Sequence, residues 1–112
     1  MRQSSVFVSN RGVGSPYTNT ITGFRVEPHG TVEFAQLAPS LTRFPRGMAL
    51  SDAGTPQLLV AGQSSSNLVA FDIQGAGQLM LPGREVAAGL ATPTTIVSYS
   101  PARGTAERRG GR

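Results

Sequence analysis

The sequence repeats itself at a spacing of 47 residues, and this repeat constrains the fold more than any other feature. Residues 21–26 (ITGFRV) align with 68–73 (LVAFDI), and residues 30–34 align with 77–81 at the same spacing. An upstream run, 6–10, aligns with 58–62 at a spacing of 52. The five additional residues therefore fall in the first connection, where we predict a lengthened loop over 13–19. Self-similarity at a period of 40–50 residues indicates a fold built from repeated supersecondary units.

Each unit of the repeat contains short strand-like segments separated by turns. No segment of ten or more residues keeps a helical period free of Gly and Pro, and charged residues make up only 14% of the chain. We therefore predict an all-β fold. The predicted strands are 6–8, 20–26, 31–34, 44–50, 58–61, 68–73, 78–81 and 94–99.

A repeat of about 47 residues with four short strands is typical of a β-propeller blade. Counted outward from the propeller axis, 44–50 is the innermost strand of one blade and 78–81 its outermost strand. The chain then begins on the second strand of a preceding blade and ends with 94–99, the innermost strand of a third. The prediction is a partial β-propeller of about two four-stranded antiparallel blades over residues 1–100. Two blades cannot close a ring, so the open blade edges predict a larger propeller or self-association.

The positive charge of the chain is concentrated at its end. All ten cations are Arg, and the tail 101–112 carries four of them (Arg103, Arg108, Arg109 and Arg112) against Glu107. We predict that this Arg/Gly-rich tail is disordered and that the high isoelectric point does not indicate a specific nucleic-acid partner.

Several other classes of function are disfavoured by composition. The chain has no Cys and one His, which removes thiolate chemistry and Cys-based zinc sites, so we predict neither a metal nor a cofactor. There is no apolar stretch of signal-peptide or membrane-span length, and we predict a cytoplasmic protein without a membrane partner.

Specific motifs in these segments resemble a known family. The runs Val6–Gly12, Thr20–Val26, Phe44–Leu50 and Leu58–Phe71 resemble the carboxy-terminal blades of the lactonase-type seven-bladed propellers. That family includes 6-phosphogluconolactonases and fungal carboxymuconate cyclases. The resemblance covers roughly residues 5–100 and implies a carboxy-terminal fragment of such a propeller. The chain differs from the usual family pattern by having Gly47-Met48 in place of Asp-Phe, Gly62 in place of Asn, and Ser51-Asp52 in place of Asp-Pro.

Strand order gathers four polar residues on one rim of the propeller: Asn10, Arg11, Arg46 and Gln63. Two guanidinium groups there would bind a carboxylate or phosphate bidentately and stabilise the negative charge that develops on oxygen in lactone chemistry. The resemblance implies a catalytic role for Arg11 and Arg46, and we predict that Asn10 and Gln63 bind substrate. The alternative is that either arginine ties adjacent blades to backbone carbonyls.

No general base is evident among the remaining residues. His29 falls in a turn on the opposite face, and Glu33 and Glu85 lie on or near outermost strands. The resemblance implies hydrolysis of a sugar lactone of the 6-phosphogluconolactone type, with a small anionic lactone or carboxylate as the partner. The alternatives are the muconate-lactonising cyclase branch and a non-catalytic truncated propeller segment.

Overall fold

All regular secondary structure in the described part of the chain is β-strand. A computed structural model describes residues 4–12, 19–51, 55–97 and Tyr99. Most of the predicted lengthened loop, the turn 52–54 and the tail 101–112 lie outside the described residues. Within the described ranges, no helix is long and apolar enough to cross a membrane. The strands are β1 (Ser4–Asn10), β2 (Thr20–Val26), β3 (Val32–Pro39), β4 (Pro45–Ser51), β5 (Gln57–Gly62), β6 (Asn67–Gly75), β7 (Gln78–Leu79) and β8 (Arg84–Ala88).

The strands form two antiparallel sheets that correspond to two propeller blades. The first sheet has the order β1-β2-β3, and the second has the order β4-β5-β6 with β7 and β8 both on the far side of β6. The second sheet is therefore a complete four-stranded blade with an outer strand in two pieces. The first sheet contains the second, third and outer strands of a blade. This arrangement confirms the predicted all-β partial propeller.

The strand register reproduces the sequence repeat. Asn10 pairs with Thr20 in the first sheet, and Gly62 pairs with Asn67 in the second. At the other end of β2, Val26 pairs with Val32, and at the equivalent point of β6, Ile73 pairs with Leu79. Both residues of the second pair lie 47 positions after their counterparts in the first. The sequence alignment of the two units is thus also their structural alignment.

The outer strand of the second blade differs from the prediction. The sequence pattern predicts one strand over 78–81, but the structure has β7 and then, after a break at residues 80–83, a second strand, β8, that the pattern does not predict. The break contains Pro82, which has no N–H to donate to a ladder. It also contains Gly83, where an added Cβ would lie 2.5–2.9 Å from the Phe71 ring. The chain therefore leaves the sheet edge at this point and passes close over the ring.

The predicted strand 94–99 is a second correction. Residues 94–97 and Tyr99 are not part of a β-ladder, although the backbone at Thr94 runs close to β4, where its carbonyl oxygen would lie 2.6 Å from a Cβ added at Gly47. The physical reason is that an innermost propeller strand pairs with the second strand of its own blade, and no strand among the described residues lies in that position beside 94–97.

The core lies between the two sheets. Ile21 and Ala38 from the first sheet pack against a larger apolar set from the second (Leu58, Val60, Val69, Phe71 and Leu79). In both sheets these residues alternate with residues on the opposite face, as the period of a β-strand requires.

Backbone contacts fix how the two sheets meet. Gly23 lies directly against the Gly77 carbonyl, and the Gly77 N–H donates to the Ser5 hydroxyl at 2.8 Å. The Gln36 amide exchanges two hydrogen bonds with the backbone of Leu79, at 2.7 and 3.1 Å. Because each contact joins a strand or turn of one blade to the next, the blades have one defined relative position.

Candidate functional site

One end of the two-blade unit brings together the residues predicted to form a site. We call it the arginine rim and define it by residues 10–12, 40–46 and 63–66. The Gln63 N–H donates to the Phe44 carbonyl at 3.0 Å, and the Ser64 N–H donates to the Arg43 carbonyl at 3.1 Å. The connection between the blades is therefore held against the β5–β6 turn. His29, in the β2–β3 turn, lies at the other end of the strands.

Asn19 organises the rim from the first blade. Its side-chain oxygen accepts hydrogen bonds from the Gly12 N–H at 3.0 Å and the Phe44 N–H at 2.9 Å. Its backbone carbonyl accepts from the Ser40 N–H and hydroxyl at 3.1 and 2.9 Å. Asn19 is only 7% exposed. One buried amide thus fixes both the residue after Arg11 and the residue two before Arg46.

The second blade holds the same connection through a short hydrogen-bond chain. The Ser65 hydroxyl accepts from the Arg43 N–H at 2.8 Å and donates to the Asn67 side-chain oxygen at 2.6 Å. The Asn67 amide nitrogen donates to the Leu41 carbonyl at 3.3 Å and to a Glu85 carboxylate oxygen at 2.9 Å. The arginine rim is therefore anchored to both blades, which makes it a rigid platform.

The close packing at Gly62 accounts for one departure from the family pattern. A Cβ at this position would overlap the Ser65 hydroxyl and lie 2.5 Å from the Asn67 side-chain oxygen. A larger residue here, such as the Asn that is usual in the family, would require the Ser65, Asn67 and Thr42 side chains to shift.

Phe44 supports Arg11. The guanidinium carbon of Arg11 lies 4.8 Å from the centroid of the Phe44 ring, a cation–π geometry. Phe44 itself has a φ of 59°, a left-handed conformation that is rare for a bulky residue and often found at functional sites. The hydrogen bonds to Asn19 and Gln63 hold the Phe44 backbone in place. The ring then keeps the exposed guanidinium on the rim surface.

Arg46 is placed by an irregularity in β4. The pairing of β4 with β5 shifts between Pro45 and Gly47, so Arg46 is the additional residue of a β-bulge. Pro45 and Gly47 are buried, whereas Arg46 is exposed. Bulges commonly redirect a side chain next to an active site.

The rim carries three arginines, because Arg43 is also exposed there. The two ion pairs among the described residues, Arg25–Glu33 at 3.4 Å and Arg84–Asp72 at 3.6 Å, involve none of the three. The alternative role for Arg11 and Arg46 was to tie adjacent blades together through backbone carbonyls. Among the described residues, neither guanidinium donates a hydrogen bond to a backbone carbonyl. The rim therefore presents unneutralised positive charge.

The two predicted substrate-binding amides occupy different settings. Asn10 donates from its side-chain nitrogen to the hydroxyls of Thr20 at 3.0 Å and Thr22 at 2.8 Å, so both of its N–H groups bond across to β2. Gln63 has a buried side-chain oxygen with no hydrogen-bond partner among the described residues. The structure thus brings Arg11, Arg46 and Gln63 to the rim with Phe44, while the Asn10 amide is engaged in the sheet.

Acid–base and metal-binding groups are sparse near the rim. Glu85 accepts from Asn67, and Glu33 pairs with Arg25 near the opposite end. Among the described residues no three His, Asp or Glu side chains are grouped as a metal site requires.

Sequence reasoning missed Asn19, Phe44 and Arg43. Pro45 did not reveal the conformation of Phe44, because a residue before proline favours extended backbone, whereas Phe44 is left-handed. Nothing in the sequence marked Asn19 as the residue that joins two connections, since its partners are 7 and 25 residues away.

Comparison with known proteins identifies the family. The family model described as "Lactonase, 7-bladed beta-propeller" matches residues 2–97, which is most of the chain. The protein belongs to this lactonase family of β-propellers. Comparisons with curated proteins and with solved structures found no match.

The role of Asn19 gives a first prediction. Asn19→Ala is expected to lower the free energy of unfolding by about 2–4 kcal/mol, because two backbone N–H groups lose their acceptor. Urea denaturation measures the loss, and amide hydrogen exchange at Gly12 and Phe44 is expected to accelerate. Asn19→Asp is the matched control, since it keeps an oxygen acceptor, and it should lose less stability. Equal stability of the Ala and Asp variants would contradict the assigned role.

Proposed function

We propose that the protein works as part of a lactonase-type propeller that hydrolyses a sugar lactone of the 6-phosphogluconolactone type. Arg11 and Arg46 bind the anionic substrate, and the Gln63 side chain contacts it. On the same proposal the protein serves cytoplasmic carbohydrate metabolism as a hydrolase. The observation that carries the proposal is the arginine rim, where three exposed arginines form no ion pair with any carboxylate among the described residues.

The chemistry of the rim suits an anionic lactone. A guanidinium group is planar and offers paired N–H donors that match a phosphate or carboxylate. The Phe44 ring beneath Arg11 limits the positions of the guanidinium, so less conformational freedom is lost when an anion binds. Arg46, on the bulge, supplies a second cation from the inner strand of the adjacent blade.

Hydrolysis itself requires few groups from this rim. Water adds to the carbonyl carbon, the ring C–O bond breaks, the ring oxygen takes a proton to become a hydroxyl, and a carboxylate and one proton are released. Negative charge develops on the carbonyl oxygen during the addition, and a fixed guanidinium stabilises it. The proton of the attacking water passes to solvent or to a base outside the described residues.

Two alternatives share the same surface. The cyclase branch of the family would use it for a tricarboxylate, and the presence of three rim arginines favours that option. The second alternative is a non-catalytic segment that binds anions. It is favoured because neither Glu85, which accepts a hydrogen bond from Asn67, nor Glu33, which pairs with Arg25, is placed to act as a general base.

Binding of the reaction product locates the site. We expect 6-phosphogluconate, titrated into isotope-labelled protein, to shift the backbone amide resonances of Arg11, Phe44 and Gln63. Arg11→Ala should weaken binding about 10- to 100-fold, the loss expected for one charge-assisted contact. A parallel titration with a carboxymuconate distinguishes the cyclase branch by its tighter binding.

Arg25→Ala is the matched control for this titration. It removes the same charge from the opposite end of the first blade, where Arg25 pairs with an exposed Glu33. Its affinity should equal that of the wild type. Shifts centred on the β2–β3 turn, or equal weakening by both substitutions, would contradict binding at the arginine rim.

A further inference from the structure

The arginines in the described part of the chain differ in how their charge is balanced. The two that lie away from the arginine rim, Arg25 and Arg84, form ion pairs with carboxylates at 3.4 and 3.6 Å. The three on the rim form none within the described ranges. Arg11 and Arg46 have roles in the proposed function, whereas Arg43 has none, and its uncompensated charge needs an explanation.

The backbone of Arg43 is fixed while its side chain is left exposed. Its N–H donates to the Ser65 hydroxyl at 2.8 Å, and its carbonyl accepts from the Ser64 N–H at 3.1 Å. The Ser65 hydroxyl in turn donates to the buried Asn67 side chain. No hydrogen bond joins the Arg43 guanidinium to another of the described residues. The guanidinium is therefore held at one place on the rim and is available to a ligand.

The immediate surroundings of Arg43 belong to the two described blades. Its connection lies between residues 10–12 of the first blade, which are bonded to it through Asn19, and residues 63–66 of the second. Arg43 and Arg46 are three residues apart, so their Cα atoms are at most roughly 10 Å apart. Arg11 lies over the ring of Phe44, the residue that follows Arg43. The three guanidinium groups therefore extend from one small area of surface.

We propose that Arg43 binds the phosphate group of the substrate and so determines the specificity of the rim for phosphorylated sugar lactones, an inference that rests on the proposed function. A phosphate monoester carries about 1.5 to 2 negative charges at neutral pH. The carbonyl oxygen develops a further negative charge during hydrolysis. Three guanidinium groups balance this total, whereas Arg11 and Arg46 alone do not.

The path of the connection places Arg43 at the correct end of such a substrate. The chain runs here from β3, the outer strand of the first blade, to β4, the innermost strand of the second. Arg43 comes before Arg46 on this path and therefore lies farther from the propeller axis. With the reacting carbonyl at Arg46, the end of the sugar that carries the phosphate extends outward to Arg43. Its guanidinium offers paired N–H donors that match two phosphate oxygens.

Titrations with paired ligands test this role. We expect the full chain to bind 6-phosphogluconate at least tenfold more tightly than gluconate, measured by amide chemical shifts at about 0.15 M ionic strength. Arg43→Gln should weaken binding of 6-phosphogluconate and of inorganic phosphate about 10- to 100-fold, the loss of one charge-assisted contact, and leave gluconate binding unchanged. Arg43→Lys keeps the charge without the paired donors and should lose less than about tenfold.

Arg84→Gln is the matched control, because it removes the same charge from the second blade. Arg84 lies four residues along β8 from Ala88, which pairs with Asn67 at the rim end of β6, a separation of roughly 13 Å. This exceeds the screening length of about 8 Å at the ionic strength used, so binding should be unchanged. Equal weakening by Arg43→Gln and Arg84→Gln would overturn the assignment of phosphate to Arg43.

The same variants separate the role of Arg43 from the proposed function. If Arg11→Ala weakens 6-phosphogluconate binding and Arg43→Gln does not, or if Arg43→Gln weakens gluconate equally, the role of Arg43 is overturned while the proposed function stands. If Arg43→Gln weakens phosphate binding but the wild type does not hydrolyse 6-phosphogluconolactone above the spontaneous rate, phosphate recognition by Arg43 stands and the lactonase function falls. A wild type that binds gluconate and 6-phosphogluconate equally would overturn the role of Arg43.

Discussion

Gly23→Ala is expected to lower the free energy of unfolding by about 4 kcal/mol, a large part of the stability of a small domain. The added methyl group would overlap the Gly77 carbonyl oxygen, which is backbone and cannot rotate away as a side chain would. To relieve the overlap the blades must separate, which strains the bonds from Ser5 and Gln36 to the backbone of Gly77 and Leu79. Equilibrium denaturation in urea measures this loss.

Gly75→Ala is the matched control for that measurement. Gly75 is also a strand glycine, but the nearest atom to an added Cβ is a flexible Gln78 oxygen at 3.6 Å, an ordinary contact. Its stability should change by less than about 1 kcal/mol, because replacing Gly where the backbone permits it mainly restricts the unfolded chain. Both variants must be compared at one protein concentration, since the apparent stability of a protein that self-associates depends on concentration. If the two substitutions cost the same, the close contact between blades is not what holds them together.

The strand order of this fold follows from the repeat. Because β1 and β5 occupy equivalent places in two units, aligning their sequences also aligns their registers, as the Asn10–Thr20 and Gly62–Asn67 pairs demonstrate. The broken outer strand could not be predicted in the same way. Its path depends on the packing of Gly83 over Phe71, a contact between residues 12 apart that no local pattern encodes.

The site was predictable in outline but not in its internal bonding. Strand topology alone puts Arg11, Arg46 and Gln63 at one end of the blades, and the structure places them there. The side-chain directions depend on other contacts. Asn10 turns to two threonines on β2, while Arg11 lies over Phe44 in the connection before β4, and both outcomes are set by partners distant in sequence.

The largest functional effect is expected from removing both proposed substrate-binding arginines. The double substitution Arg11→Ala, Arg46→Ala should lower kcat/KM for 6-phosphogluconolactone about 100- to 1000-fold, since it removes the cations opposed to the bound anion and the developing oxyanion. Both side chains are exposed and form no ion pair among the described residues, so the fold should be retained. A circular dichroism spectrum equal to that of the wild type verifies this.

The rate of 6-phosphogluconolactone hydrolysis, corrected for the spontaneous reaction, tests the central claim most directly. It is measured for the wild type, for the double arginine variant, and for Arg25→Ala as a charge-matched control at the opposite end of the blade. The account predicts catalysis by the wild type and by Arg25→Ala, and its loss in the double variant. Hydrolysis at the wild-type rate in the double variant, or a wild-type rate no higher than the spontaneous one, would contradict it.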